Sequence, residues 1–237
     1  MARNVSLGVL IDDLRAEAGH SLQANLGVQM RDVLVKVLQR QQRRLWEDFD
    51  WTFLRVERDV AVAAGQRYYN FPVDLTLERL EKVEFKYGDR WIPVEYGITR
   101  REYDTHDSDR GVRAFPIERW KEADNDQIEI WPIPSQNGST ATSSNILRFT
   151  GIRKLRSLVA ESDLADLDDT LLVLYSAAEI LAREKSNDAK LKLDMANQHY
   201  KRLKGRNAKS ETFSLADGEQ SAGLRPQGPK IIAVQNA

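Results

Sequence analysis

From His20 to Val60 the chain reads HSLQANLGVQMRDVLVKVLQRQQRRLWEDFDWTFLRVERDV, and its hydrophobic period changes partway along. Over residues 21–48, Leu22, Leu26, Met30, Val33 and Val37 recur at intervals of three and four. Leu34, Leu38 and Leu45 widen the stripe, while Gln39, Arg40, Gln42 and Arg43 fall on the opposite face. That spacing predicts a long amphipathic helix, with Ser21 placed to cap its start. At Phe49-Asp50-Trp51 the pattern breaks, and Phe53 to Val62 alternates in part, as a half-buried strand does. A helix handing over to a strand at this point sets the plan of the whole chain.

Upstream, residues 7–18 read as a shorter amphipathic helix. Downstream, strand signals continue to about Val159. Tyr68, Tyr69 and Phe71 form an aromatic strand ended by Pro72. Residues 82–87 and 90–96 flank Gly88-Asp89, whose glycine suits the first central position of a type II′ hairpin turn. Residues 127–133 and 145–151 read as another strand pair, joined by a long, mobile polar loop from Ser135 to Ser144. The densely charged stretch 100–110 reads as a loop or short helix.

Helical spacing returns after the acidic linker Glu161 to Asp169, with Asp168 or Asp169 as cap. Leu171, Leu174, Ala178 and Leu181 form one stripe; Ala189, Leu193, Ala196, Tyr200 and Leu203 form another. One long helix with a weak middle at Ser186-Asn187-Asp188 is expected, stopping at Gly205. Residues 208–237 hold three glycines and two prolines around a single aromatic, Phe213, a composition that builds no core of its own. The predicted fold is α+β: a helical bundle formed by N- and C-terminal helices (1–50 and 160–207), an inserted antiparallel β-sheet or sandwich (51–159), and an extended C-terminal tail (208–237).

Composition narrows the function. With no cysteine, disulfides, thiolate chemistry and cysteine-ligated zinc are excluded, and His20, His106 and His199 are too scattered for a histidine metal site. A formal net charge of -1 gives no overall pull toward nucleic acid or anionic membrane. The N-terminus lacks a signal-peptide core, and no window reaches the apolar length of a membrane span, so a chain made in a reducing cytoplasm is expected.

The sequence carries no catalytic pattern. Glu47-Asp48-Asp50 and Asp104-Asp107-Asp109 bring carboxylates close in sequence, but nothing specifies the cleft that glycoside hydrolysis needs, and the calcium-loop spacing is missing. Phosphate loops, a nucleophile elbow and DNA-reading motifs are absent, and each histidine reads as an ordinary surface residue. No cofactor is implied.

Three signals remain. Trp46, Trp51, Trp91, Trp120 and Trp131 read either as core and seam packing or as anchors between subunits. Lys201, Arg202, Lys204, Arg206 and Lys209 follow the second helical stripe with no interleaved acid. They complement a helix C-terminus, make ring contacts, or face a DNA channel. Finally, Ile231-Ile232-Ala233-Val234 ends the polar tail in a β-prone patch, which reads either as part of a disordered terminus or as a strand added to a partner's sheet edge.

These features appear in a recognisable order. Leu45-Trp46-Glu47-Asp48-Phe49-Asp50-Trp51 closes the long helix, and Gly65-Gln66-Arg67-Tyr68-Tyr69-Asn70-Phe71-Pro72-Val73-Asp74 opens the β-region. Ile128-Glu129-Ile130-Trp131-Pro132 and Leu147-Arg148-Phe149 come next, then a helix rich in Ala, Leu, Lys and Tyr. Over roughly residues 21–205 the chain resembles the tail tubular protein A type of tailed-phage head-to-tail adaptor, with Phe71 where that family usually has Leu. The resemblance implies a non-enzymatic virion protein at the head–tail junction, assembled in the host cytoplasm. It also implies a ring of typically twelve copies bound to the portal protein and to further tail proteins (nozzle or tail tube), passing double-stranded DNA without reading it. Two rival readings are a tail-borne glycan or peptidoglycan hydrolase and a DNA-binding packaging protein.

Overall fold

The computed structural model describes residues 2–20, 28–125 and 127–207. Helix α1 (Leu7–Glu17) is followed by α2 (Val28–Asp48), a single 3-10 turn (Thr52–Leu54) and strand β1 (Arg55–Ala61). Then come β2 (Tyr68–Asn70), β3 (Leu75–Tyr87), β4 (Arg90–Pro93), β5 (Glu95–Tyr96) and the short helix α3 (Arg100–Thr105). Strands β6 (Arg119–Ala123), β7 (Gln127–Trp131) and β8 (Ile146–Arg153) precede α4 (Asp169–Arg183) and α5 (Asp188–Asn207). The chain is α+β, with five helices and two four-stranded sheets among the described residues.

The first sheet runs β1-β8-β3-β4 and is antiparallel throughout. The second runs β2-β7-β6-β5 and is mixed, because β5 pairs with β6 in parallel. The expected pairing of residues 127–133 with 145–151 is therefore wrong: β7 belongs to the second sheet and β8 to the first. Both segments carry strand periodicity, but periodicity does not name a partner. β8 is the central strand between β1 and β3, which explains why Ile146, Leu147, Phe149, Thr150 and Ile152 are all buried. The loop between β7 and β8 is tied down rather than loose. Ser139 and Ser144 exchange backbone hydrogen bonds at 2.8 and 3.0 Å, and the Gly138 N–H donates to the Val62 carbonyl at 2.6 Å. The hairpin at Gly88-Asp89 forms as expected, with Tyr87 opposite Arg90 and φ +59° at Gly88.

Residues 170–205 form two helices, not one. Lys185 takes a left-handed φ of +57°, and the Ser186 N–H donates to the Leu181 carbonyl at 2.9 Å, closing α4. The Ser186 hydroxyl then accepts from Asp188 N–H at 3.3 Å, so the polar triplet acts as a stop and a new start. α5 folds back antiparallel on α4: the Tyr175 hydroxyl reaches Asn197 Oδ1 at 2.8 Å, and His199 Nε2 lies 2.7 Å from Asp168 Oδ1. Gly205 lies inside α5 and does not stop it.

Two apolar clusters result. One draws on α1, α2, α4 and α5 with Trp51, Leu54, Ile152 and Leu158. The other takes residues from both sheets, including Tyr69, Phe85, Ile117, Trp120, Ile130 and Phe149. The stripe read for α2 is rotated from its expected face. Met30 and Val33 are exposed, whereas Leu34, Val35, Val37, Leu38 and Leu45 are buried together with Gln41 and Gln42. The cause is the segment 154–158, which crosses α2. Its carbonyls need donors, and the amides of Gln39 and Gln42 reach Leu158 O at 2.6 Å and Arg156 O at 3.5 Å. Leu22, Leu26 and the Ser21 cap lie outside the described residues.

Candidate functional site

The joint between helices and sheets is built by the Leu45–Trp51 motif. Trp51 is buried, and its indole N–H donates to the Leu45 carbonyl at 3.0 Å, folding the end of α2 back on itself. Phe49 meets it edge-on with centroids 5.0 Å apart, and Phe53 and Tyr200 surround it at 5.7 and 6.2 Å. Trp46 points to the other side, where its N–H donates to Arg153 O at 3.1 Å and the Arg79 guanidinium lies 4.0 Å over its ring. Trp120 and Trp131 are core residues as well. Trp91 is half-buried, with Arg148 stacked 4.2 Å from its ring centre.

The last two turns of α5 run past this joint and carry four of the predicted basic residues. Lys201, Arg202 and Arg206 are exposed. Lys204 lies 5.0 Å over Phe49 and 4.8 Å over Tyr200, so this cation helps hold the joint. Burial and the hydrogen bond to Asp48 push the Tyr200 hydroxyl far above its ordinary pKa, which keeps it protonated as the donor to that carboxylate. Asn207, the last described residue, accepts from the Thr52 hydroxyl at 3.2 Å. The described chain thus ends beside Trp51, Thr52 and Arg3, which line a recess of about 420 Å³. Lys209 and Ile231, Ile232, Ala233 and Val234 lie outside the described residues.

Four of the six carboxylates weighed for catalysis serve as ion-pair and hydrogen-bond partners. Asp48 accepts from Tyr200, Asp50 from Arg79 at 3.2 Å, Asp109 from Arg67 at 2.6 Å, and Asp107 pairs with Arg110 at 3.4 Å. Two buried carboxylates were missed by reasoning from sequence. Glu129 sits on β7 with the Tyr103 hydroxyl at 2.6 Å, Arg67 Nε at 2.8 Å and Lys121 Nζ at 3.1 Å. Burial alone would raise its pKa, but the hydrogen bonds from Tyr103, Arg67 and Lys121 win and hold it below the ordinary value. Asp166 takes Arg153 at 2.5 Å, Arg156 Nε at 2.7 Å and the Arg156 N–H at 2.7 Å. It pins the end of β8 to the linker before α4. The sequence does hint at Glu129: it is a charged residue inside an apolar strand. His199, expected at the surface, is buried against Asp168, whose other task is to accept the Leu171 N–H at 3.0 Å as the α4 cap.

None of the described residues gathers three potential metal ligands, and no described helix is long and apolar enough to cross a membrane. The exposed chemistry is one of surfaces: a basic helix end beside the Trp51 recess, and grooves between helices. A family model described as SU10 adaptor protein matches residues 6–227, which takes in every helix and strand above. No curated protein matches the chain.

Proposed function

The chain belongs to the SU10 adaptor protein family, a family of structural phage proteins, and from that premise we propose that it is a ring-forming head-to-tail adaptor that docks on the portal and carries the next tail component. The observation that carries this reading is the extent of the family match: its bounds, residues 6–227, take in both helical regions and both sheets. In this reading α1, α2, α4 and α5 act as one bundle and the two sheets as an appended sandwich. Residues 51–159 are then a β-rich unit between helical regions 1–50 and 160–207, with 208–237 as the tail. The ring is a dodecamer that passes double-stranded DNA, and a net charge of -1 suits a conduit that must not retain it.

The tail supplies the link to a neighbour or to the portal. Its anchor, Ile231-Ile232-Ala233-Val234, would add a strand to a partner's sheet edge. Lys201, Arg202, Lys204, Arg206 and Lys209 would line the channel or the ring contact near the point where the tail departs, though Lys204 is already engaged with Phe49 and Tyr200. The experiment is imaging of purified protein mixed with portal, compared with a chain lacking residues 229–237. A ring stacked on the portal with matching symmetry is expected, with weakened attachment but an intact body for the truncated chain. Full-length protein that never assembles on portal would overturn the reading.

A further inference from the structure

Three helices leave a groove of about 500 Å³ on one side of the molecule, where α2 and α5 flank α4 without closing over it. Ala178 and Ala182 floor it, Leu193 stands at its α5 edge at 42% exposure, and Arg40, Arg44 and Lys190 sit on its rim. The one acid in its lining, Glu179, is already taken by Arg40, Arg183 and Gln41. Arg44 has only the face of Tyr175, at 4.7 Å, and Lys190 has no ion-pair partner among the described residues. The groove is apolar at its base and cationic at its lip.

The opposite character appears on α1. Its exposed side consists of Val9, Asp12, Asp13 and Ala16, the spacing of one continuous helical stripe. Val9 is 50% exposed there. Asp12 has Arg15 at 3.7 Å on its own helix, whereas burial first, then Asp169, Asp12 and Glu17 in turn, raise the pKa of Asp13, which sits among like charges that a cation would relieve. The two faces point in opposite directions. At about 100° per residue, Asp169 and Glu184 lie on one side of α4, where the Ala2 N–H and His20 of the α1 region meet them at 3.0 and 3.3 Å. Ala178 and Ala182 lie on the other side.

We infer that the groove between α2, α4 and α5 receives the Val9, Asp12, Asp13 and Ala16 face of α1 from a second copy of this chain. The occupant's apolar residues cover Ala178, Ala182 and Leu193, and its aspartates meet Arg44 and Lys190. Because two different surfaces meet, the contact is head-to-tail, each copy offering a free groove and a free α1, and it closes only as a ring. This rests on the ring reading above and names the subunit contact within it.

Three full-length variants test it: Asp12→Arg with Asp13→Arg, Arg44→Glu with Lys190→Glu, and all four together. Assembly is read by native mass spectrometry, with and without portal, and folding by circular dichroism. Each two-site variant should raise the concentration needed for assembly roughly a hundredfold, since like charges then face each other. An equal mixture of the two should assemble again with the copies alternating, because each variant finds its charge complement, in both directions, only in the other. The four-site variant should assemble again, its charges having been exchanged. Rings formed by both two-site variants at wild-type concentrations would overturn this contact and leave the ring reading standing. Wild-type chain that makes no ring even on portal would overturn both. If Arg44→Glu disturbs folding through Tyr175, Lys190→Glu alone, on an exposed residue, should still weaken assembly, and wild-type assembly by it would count against the contact.

Discussion

Replacing Glu129 by Gln keeps the shape of a side chain that is 3% exposed while deleting its charge. Arg67 and Lys121 then face each other across a neutral amide, and the Tyr103 hydroxyl keeps an acceptor at best. Removing one partner from a buried ion pair costs about 3–5 kcal/mol. Here the arginine and lysine side chains retain 20% and 34% of their exposure, so water recovers part of the loss. The expected cost is about 2–3 kcal/mol. For a chain of this length that lowers Tm by roughly 4–12 °C. Urea unfolding followed by far-UV circular dichroism should show a lower midpoint with an unchanged slope. The pH dependence provides an internal check. Hydrogen bonds hold the folded Glu129 carboxyl below its ordinary pKa, so its stabilisation is complete above the unfolded-state value and is lost as pH falls through the folded one. The gap between wild type and Glu129→Gln should therefore be full at neutral pH and shrink in acid, where the wild-type side chain is neutral too. A gap under about 0.5 kcal/mol at pH 7, or one that widens in acid, would refute the assignment of Glu129 as an ionised structural centre.

Further changes probe the joint and the sheets. Trp51→Ala should cost about 3–5 kcal/mol because it empties the centre of the helix–sheet seam; Trp51→Phe should cost less but leave Leu45 O without its donor, both read by calorimetry. Asp168→Ala removes the α4 cap and the partner of buried His199 at once, for about 2–3 kcal/mol, while Asp168→Asn should recover most of it in urea melts. Gly151→Ala would set a Cβ 2.7 Å from the Arg79 carbonyl oxygen, where β3 runs irregularly beside β8, and should destabilise by about 1–3 kcal/mol in the same melts.

Much of the element pattern was legible because it depends on local periodicity. α1, the switch at Phe49-Asp50-Trp51, the Gly88-Asp89 hairpin and the Asp168 cap all express constraints carried by residues within a few positions of one another. A family match over residues 6–227 places the chain among the SU10 adaptor proteins. The break at Ser186-Asn187-Asp188 was visible as a weak point but not as a reversal, since Lys185 adopts its left-handed φ only because α5 gains burial by folding back on α4. Of the candidate site, Lys201, Arg202, Lys204 and Arg206 lie on α5, and Lys204 is engaged by Tyr200 one turn away and by Phe49, more than a hundred residues away in the chain.

The sequence by itself determined most of which segments coil and which extend, the Asp168 cap of α4 and how charge is distributed along the chain. Only the tertiary structure decided that β7 and β8 part into different sheets, that Gln41 and Gln42 are buried while Met30 and Val33 are not, and that Glu129 and Asp166 become buried centres of arginine contacts. These outcomes depend on which distant groups arrive to supply donors, acceptors and apolar cover. A side chain's own chemistry sets what it needs, but the packing of remote elements settles whether the need is met.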